Sequence, residues 1–195
     1  MAYPFPFVAG NILTAAELNA LETLGAPGLG FASGSYYGTN YGNASTGTQT
    51  DQLCRYSAFF VGTERAFDRI ATYSFAGAGT NNIRLGIYNN TNGKPSTVKL
   101  DAGTVAVNAV GVFTITISQT LASGWYWLAF CPQGGGGTRT FGNATPIWGS
   151  QPYELTGTFA GQNVGFTQAG VAGAFATAVP VATATNMPFP ALRAT

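Results

Sequence analysis

Gly124-Trp125-Tyr126-Trp127-Leu128-Ala129-Phe130 is apolar at consecutive positions rather than at alternate ones. A strand with one face in water alternates. A run without a polar face belongs in the middle of a sheet that is covered on both sides. Upstream, Phe113, Ile115 and Ile117 face opposite Thr114, Thr116 and Ser118, and Ile83, Leu85 and Ile87 share one face of another strand. Asn89 to Pro95 is a run of turn formers, after which Val98 to Val107 extends again. Downstream, Pro132 and the four glycines Gly134 to Gly137 form a loop. Weaker strands lie around Leu53–Val61, Phe67–Phe75, Thr138–Phe141 and Asn163–Thr167. About eight strands, glycine-rich turns and no helix beyond the N-terminal one predict an all-β, jelly-roll-like antiparallel β-sandwich over residues 31–195, with an extended C-terminal tail whose Pro188-Phe189-Pro190 reads as a second arm for contact between chains.

Residues 1–30 read differently. Thr14 can cap a helix, Glu17 completes the capping box three residues on, and Leu13 and Leu18 hold the staple positions. Gly25 and Pro27 end the helix after Leu24. Ahead of it, Tyr3-Pro4-Phe5-Pro6-Phe7 is a stiff extended arm with apolar side chains. A helix of ten or so residues does not hold alone, so arm and helix must dock. They fold back onto their own domain or bury against a neighbouring chain. The second reading is preferred, because an apolar arm is otherwise exposed surface. It makes Phe5, Phe7, Ile12, Leu13, Leu18 and Leu21 the anchoring residues. Burying Leu13, Leu18 and Leu21 gains roughly 1.5–3 kcal/mol each. Association costs about 4–15 kcal/mol, so one arm holds weakly and three copies in a homotrimer hold together.

Composition narrows the chemistry. Of 195 residues, 8% are charged and none is histidine, with a formal net charge of +1. Eight Lys/Arg against seven Asp/Glu cannot supply the phosphate neutralisation of a nucleic-acid binder. No imidazole is present for general-base catalysis or metal ligation. The seven carboxylates are Glu17, Glu22, Asp51, Glu64, Asp68, Asp101 and Glu154. A glycosidase needs two of them across a cleft, about 5–5.5 or about 6.5–9.5 Å apart. Glu64 and Asp68 alternate with Arg65 and Arg69, which reads as a surface ion-pair strip. Asp101 is expected to bind backbone at a turn or bulge. Neither enzyme activity nor a metal or other cofactor is expected. Cys54 and Cys131 sit among apolar residues, as reduced core thiols or as a disulfide, and a cytosolic product favours thiols. Residues 169–185 are too interrupted for a membrane span, and no secretory signal precedes Asn11. Tyr36, Tyr37 and Tyr41 in a Gly/Ser/Asn-rich segment, with Trp148 in another loop, are candidate glycan or receptor contacts. The alternative is that they line a strand or a subunit interface.

Two stretches carry a resemblance. Val8 to Leu21 resembles the short segment that opens many tail-fibre, head-fibre and minor structural proteins of tailed bacteriophages. Arg84 to Tyr88, Leu100-Asp101-Ala102-Gly103-Thr104-Val105, Ile115 to Ser118 and Leu121 to Phe130 resemble the jelly-roll-like domain of phage appendage proteins. Together they cover about a third of the chain. The resemblance implies a non-enzymatic virion protein made in the host cytoplasm and displayed on the virion surface. Its N-terminal arm would attach to a capsid or tail protein. The small size favours capsid decoration, a cement protein or a head fibre. The alternative is a short tail or baseplate fibre whose aromatic loops bind a host surface glycan.

Overall fold

The doubly apolar run does take a central place. In the computed structural model, which describes residues 31–38, 41–77, 79–135, 139–146, 165–183, 187–188 and 190–195, every strand pairing is antiparallel. One sheet has six strands, in the order Val181–Thr183 (β11), Gly165–Gln168 (β10), Cys54–Val61 (β3), Gly124–Gln133 (β8), Asn81–Thr91 (β5) and Lys94–Val107 (β6). The other has seven. Tyr36–Gly38 (β1) pairs with Ala191–Ala194 (β13), which pairs with Arg65–Gly77 (β4). β4 also carries Gly111–Leu121 (β7) and Arg139–Pro146 (β9), and β9 takes Tyr41–Thr48 (β2) and Met187–Pro188 (β12). The described residues include no helix, and none therefore long and apolar enough to cross a membrane. The expected N-terminal arm and helix, with Phe5, Phe7, Ile12, Leu13, Leu18 and Leu21, lie outside the described residues.

The two sheets share a core. Phe59, Val61, Ile83, Leu85, Ile87, Leu128 and Phe130 from the six-stranded sheet meet Phe67, Ile70, Ile117, Leu121, Phe141 and Leu192 from the other. The expected inward sets of β5 and β7 are the observed ones. The turn between β5 and β6 is tighter than the run from Asn89 to Pro95 suggests. Only Asn92 and Gly93 form it, at φ 51° and 75°, the two positive values of a type I′ hairpin. The polar residues beside them stay in the ladder, Asn90 opposite Pro95 and Thr91 opposite Lys94.

Much of the other face of the six-stranded sheet is buried too. Cys54, Tyr56 and Ala58 of β3, Tyr88 of β5, Trp127, Ala129 and Cys131 of β8 and Phe166 of β10 form a second apolar cluster there, together with Phe175. Its cover is residues 169–180, an irregular strap that sequence reading had only excluded as a membrane span. An irregular segment over an apolar face must find partners for its backbone groups. Each turn of the strap has one. Val171 N–H donates to the Gln52 carbonyl (3.0 Å), and Gln133 Nε2 donates to the Val171 and Gly173 carbonyls (2.9 and 2.7 Å). The Tyr88 hydroxyl donates to the Ala176 carbonyl (3.0 Å), Ala178 N–H donates to the Ser96 carbonyl (2.7 Å), and Val179 N–H donates to Gln168 Oε1 (2.8 Å).

Asp101 joins strap to hairpin. Its carboxylate takes both arms of the Arg84 guanidinium (2.8–3.1 Å), the Gly103 N–H (3.1 Å) and the Phe175 N–H (3.0 Å). Gly103, at φ 85°, sits where the β5–β6 register slips by one residue, so the expected binding of Asp101 to bulge backbone is observed. Burial alone would raise the Asp101 pKa. The hydrogen bonds from Arg84 and from the two backbone N–H groups outweigh it and hold the carboxyl below its ordinary range. The Phe175 ring lies on Gly86, where an added Cβ would come within 2.7 Å of the ring and 2.6 Å of the Leu100 carbonyl oxygen.

Two outcomes are expected. Gly86→Ala destabilises by about 1–3 kcal/mol through overpacking under Phe175. Gly173→Ala, whose added methyl meets nothing within 4 Å, does not; urea unfolding of both variants measures the difference. Because the Asp101 pKa is depressed in the fold, its contribution is complete above its unfolded value of about 4 and is lost as pH falls through the lower folded value. Asp101→Asn therefore flattens the acid limb of stability against pH, read from urea midpoints between about pH 5 and about pH 2.

Candidate functional site

The outer face of the seven-stranded sheet breaks the usual rule of strands. In β4, Phe67 and Ile70 are both buried, so the in-and-out alternation changes phase between them. The register shifts at this point against both neighbours, between Phe67 and Arg69 of β4 in its pairing with β7 and between Arg193 and Ala194 of β13 in its pairing with β4. Had the phase set by Phe67 continued, Ala71, Tyr73 and Phe75 would point into the core and Arg69 with them. The shift turns Arg69 out and Ile70 in. It also buries Thr72 (3% exposed) and Ser74 (0%) while leaving Tyr73 (39%) and Phe75 (45%) in solvent. The half of β4 beyond the shift is inverted, with hydroxyls inside and aromatics outside.

An ion pair marks the place where the phase changes. Asp68, at the irregularity, accepts both arms of Arg193 from β13, Nε at 2.8 Å and Nη2 at 2.5 Å. The Arg193 hydrogen bonds lower the Asp68 pKa, and Asp68 in turn raises that of Arg193. The expected strip of Glu64, Arg65, Asp68 and Arg69 is thus replaced, for Asp68, by a partner 125 residues away in sequence. Arg69 instead donates to the Asp68 backbone carbonyl, and Arg65 to that of Thr195.

The candidate contacts separate by strand parity. Tyr36, opposite Arg193, faces outward at 42% exposure with the Arg193 guanidinium 6.0 Å from its ring centre. Tyr37, opposite Leu192, turns inward. Its ring packs edge-on against Phe31 (4.6 Å), and its hydroxyl accepts the Ala32 N–H (2.6 Å). Tyr41 opens β2 opposite Pro146, and Trp148 lies outside the described residues. Tyr36 therefore shares a face with Tyr73 and Phe75, whose rings pack edge-to-face at 4.7 Å, and with Val112, opposite Tyr73 on β7. Between the two ends, the row Ala191, Ala71 and Thr114 carries small side chains, with Ala71 buried. Tyr73 and Phe75 escape sequence reading because the stretch from Phe67 to Phe75 contains enough alternate apolar residues to pass for an ordinary strand. The signal is Arg69-Ile70, a charge where the apolar phase set by Phe67 requires a core residue.

The described residues contain no group of three or more His, Cys, Asp or Glu placed to hold a metal ion. Asp68 and Asp101 are each committed to an arginine, and Asp51 accepts the Gly135 N–H (3.4 Å). Chemically, the outer face offers stacking surface and apolar contact at Tyr73, Phe75 and Val112, and charge at Arg69 and the Asp68–Arg193 pair.

No family model, curated protein or solved structure matches this chain. Among the described residues, several in the resembling β5, β6 and β8 segments have framework duties. Gly86 and Tyr88 receive the strap, Asp101 and Gly103 form its anchor, and Trp127 lies beneath it with Nε1 donating to Asn90 Oδ1 (2.9 Å).

If the outer aromatics serve contact rather than folding, removing them leaves the monomer fold intact. Tyr73→Thr and Phe75→Thr are expected within about 0.5 kcal/mol of the parent in unfolding free energy. Phe67→Ala, emptied from the core, costs about 3–5 kcal/mol.

Proposed function

We propose that this protein is a non-enzymatic structural component of a tailed-phage virion. It is a trimeric surface appendage on a jelly-roll-like β-sandwich, attached through its N-terminal arm and serving as capsid decoration, cement or head fibre. The observation that carries the reading is the inverted half of β4. A chain that buries Thr72 and Ser74 while exposing Tyr73 and Phe75 forgoes core apolar burial for a particular outer surface. Its exposed aromatics suit contact with copies of itself, since interfaces are enriched in aromatic residues and arginine. The resemblance of residues 8–21 and of the β5, β6 and β8 segments to phage appendage proteins supplies the setting.

A second reading has one observation in its favour. Tyr36, Tyr73 and Phe75 expose aromatic surface on one face, which also suits stacking against a host glycan in a receptor-binding fibre.

Light scattering on the full chain at micromolar concentration is expected to give a trimer, and the Tyr73→Ser/Phe75→Ser double variant a folded smaller species. A stable monomer for the parent chain overturns the assembly. Saturable glycan binding that is lost in Tyr36→Ala and Phe75→Ala transfers the face to the receptor reading.

A further inference from the structure

The face beneath the strap holds two thiols that the proposed role does not use. Cys54 and Cys131 are fully buried and unbridged. The register that sets Tyr56 opposite Ala129 and Arg55 opposite Phe130 brings Cys54 and Cys131 next, directly across from each other on β3 and β8. Both side chains point into the cluster under the strap, and the two thiols interact directly. Opposed residues of an antiparallel pair have Cα atoms about 4.5 or about 5.5 Å apart, depending on the ladder position. Both separations fall inside the span of about 4.4–6.8 Å that a disulfide bridges. The strap also touches this pair, because the Cys131 thiol donates to the Val171 carbonyl (3.4 Å).

We propose that Cys54 and Cys131 are an oxidation site, a dithiol that closes to a cross-strand disulfide by exchange with a small-molecule disulfide. One cysteine, as thiolate, attacks a sulfur of the small disulfide, and one small thiolate leaves. The other cysteine, as thiolate, then attacks the protein-bound sulfur and expels the second small thiolate. The protons of the two protein thiols end on the two small thiols. The protein pair loses two electrons, and the small disulfide gains them. Burial raises the Cys54 pKa well above the ordinary thiol value, with neighbouring Cys131 adding to it, so few thiolates form at neutral pH and the reaction quickens with base. Exchange also requires the strap to lift from Cys131, since neither thiol is exposed. The bridge forms between strands that are already paired.

The test uses the full chain, oxidised glutathione and mildly alkaline buffer, with Gly86→Ala as a second background in which the strap is loosened. Thiol titration after unfolding, intact mass and non-reducing electrophoresis are the readouts. The expected product is a chain lighter by two hydrogens and free of inter-chain disulfides, with both thiols lost together and a higher urea midpoint that dithiothreitol reverses. Cys54→Ala and Cys131→Ala are each expected to retain one thiol or to carry one glutathione. Two titratable thiols persisting in both the parent and Gly86→Ala overturn the proposal. So do two glutathiones on one chain, or disulfide-linked dimers in place of the internal bridge.

Discussion

The middle strands of the six-stranded sheet carry apolar side chains on both faces, and most of the architecture answers that constraint. Trp127, Ala129 and Cys131 leave β8 on one side and Leu128 and Phe130 on the other, all of them buried. The seven-stranded sheet covers one side. The other is closed by a strap with no ladder of its own, whose backbone is satisfied one group at a time by Gln52, Gln133, Tyr88, Ser96, Gln168 and Asp101. Glycine at position 86 follows from the same demand. Phe175 can reach the sheet only where a residue presents no side chain beneath it.

The seven-stranded sheet is governed by a different compromise. A charged residue and an isoleucine adjacent in β4 cannot both be accommodated by the phase that Phe67 sets. The strand slips by one position at Asp68, and the Asp68–Arg193 pair sits on the slip. The gain is a solvated Arg69 and a buried Ile70. The cost is carried beyond it, where two hydroxyl residues enter the core and two aromatics leave it. Local stability would favour the opposite arrangement, which is why the exposed aromatics point to a role outside the folding of the single chain.

Most of the fold was legible because periodicity reports burial directly. The strands around Ile83–Ile87, Phe113–Ile117 and Trp125–Phe130 were found with their inward faces, and a double-sided apolar run correctly placed β8 at the centre of its sheet. The strap was not legible, since residues 169–180 have neither period two nor a helical period and their partners are single polar atoms far away in sequence. Arg193 as the partner of Asp68 was hidden for the same reason. The parity of Tyr36 and Tyr37 could have been read, because neighbours on a strand never share a face, but only once β1 was known to be a strand. Tyr73 and Phe75 needed the phase shift, which a single strand read alone does not reveal.

Strand β13 lies between β1 and β4, so residues 191–194 hold together segments made much earlier, with Arg193 answering a carboxylate 125 positions before it. During synthesis the edge of β4 along Phe67–Ala71 stays open until those residues emerge. Until then the growing chain carries an unpaired strand edge, and such an edge can template a strand from a nearby copy. Closure of this part of the sheet therefore waits on residues 191–194, which join β1 to β4. The wait gives neighbouring nascent chains a period in which they can exchange strands.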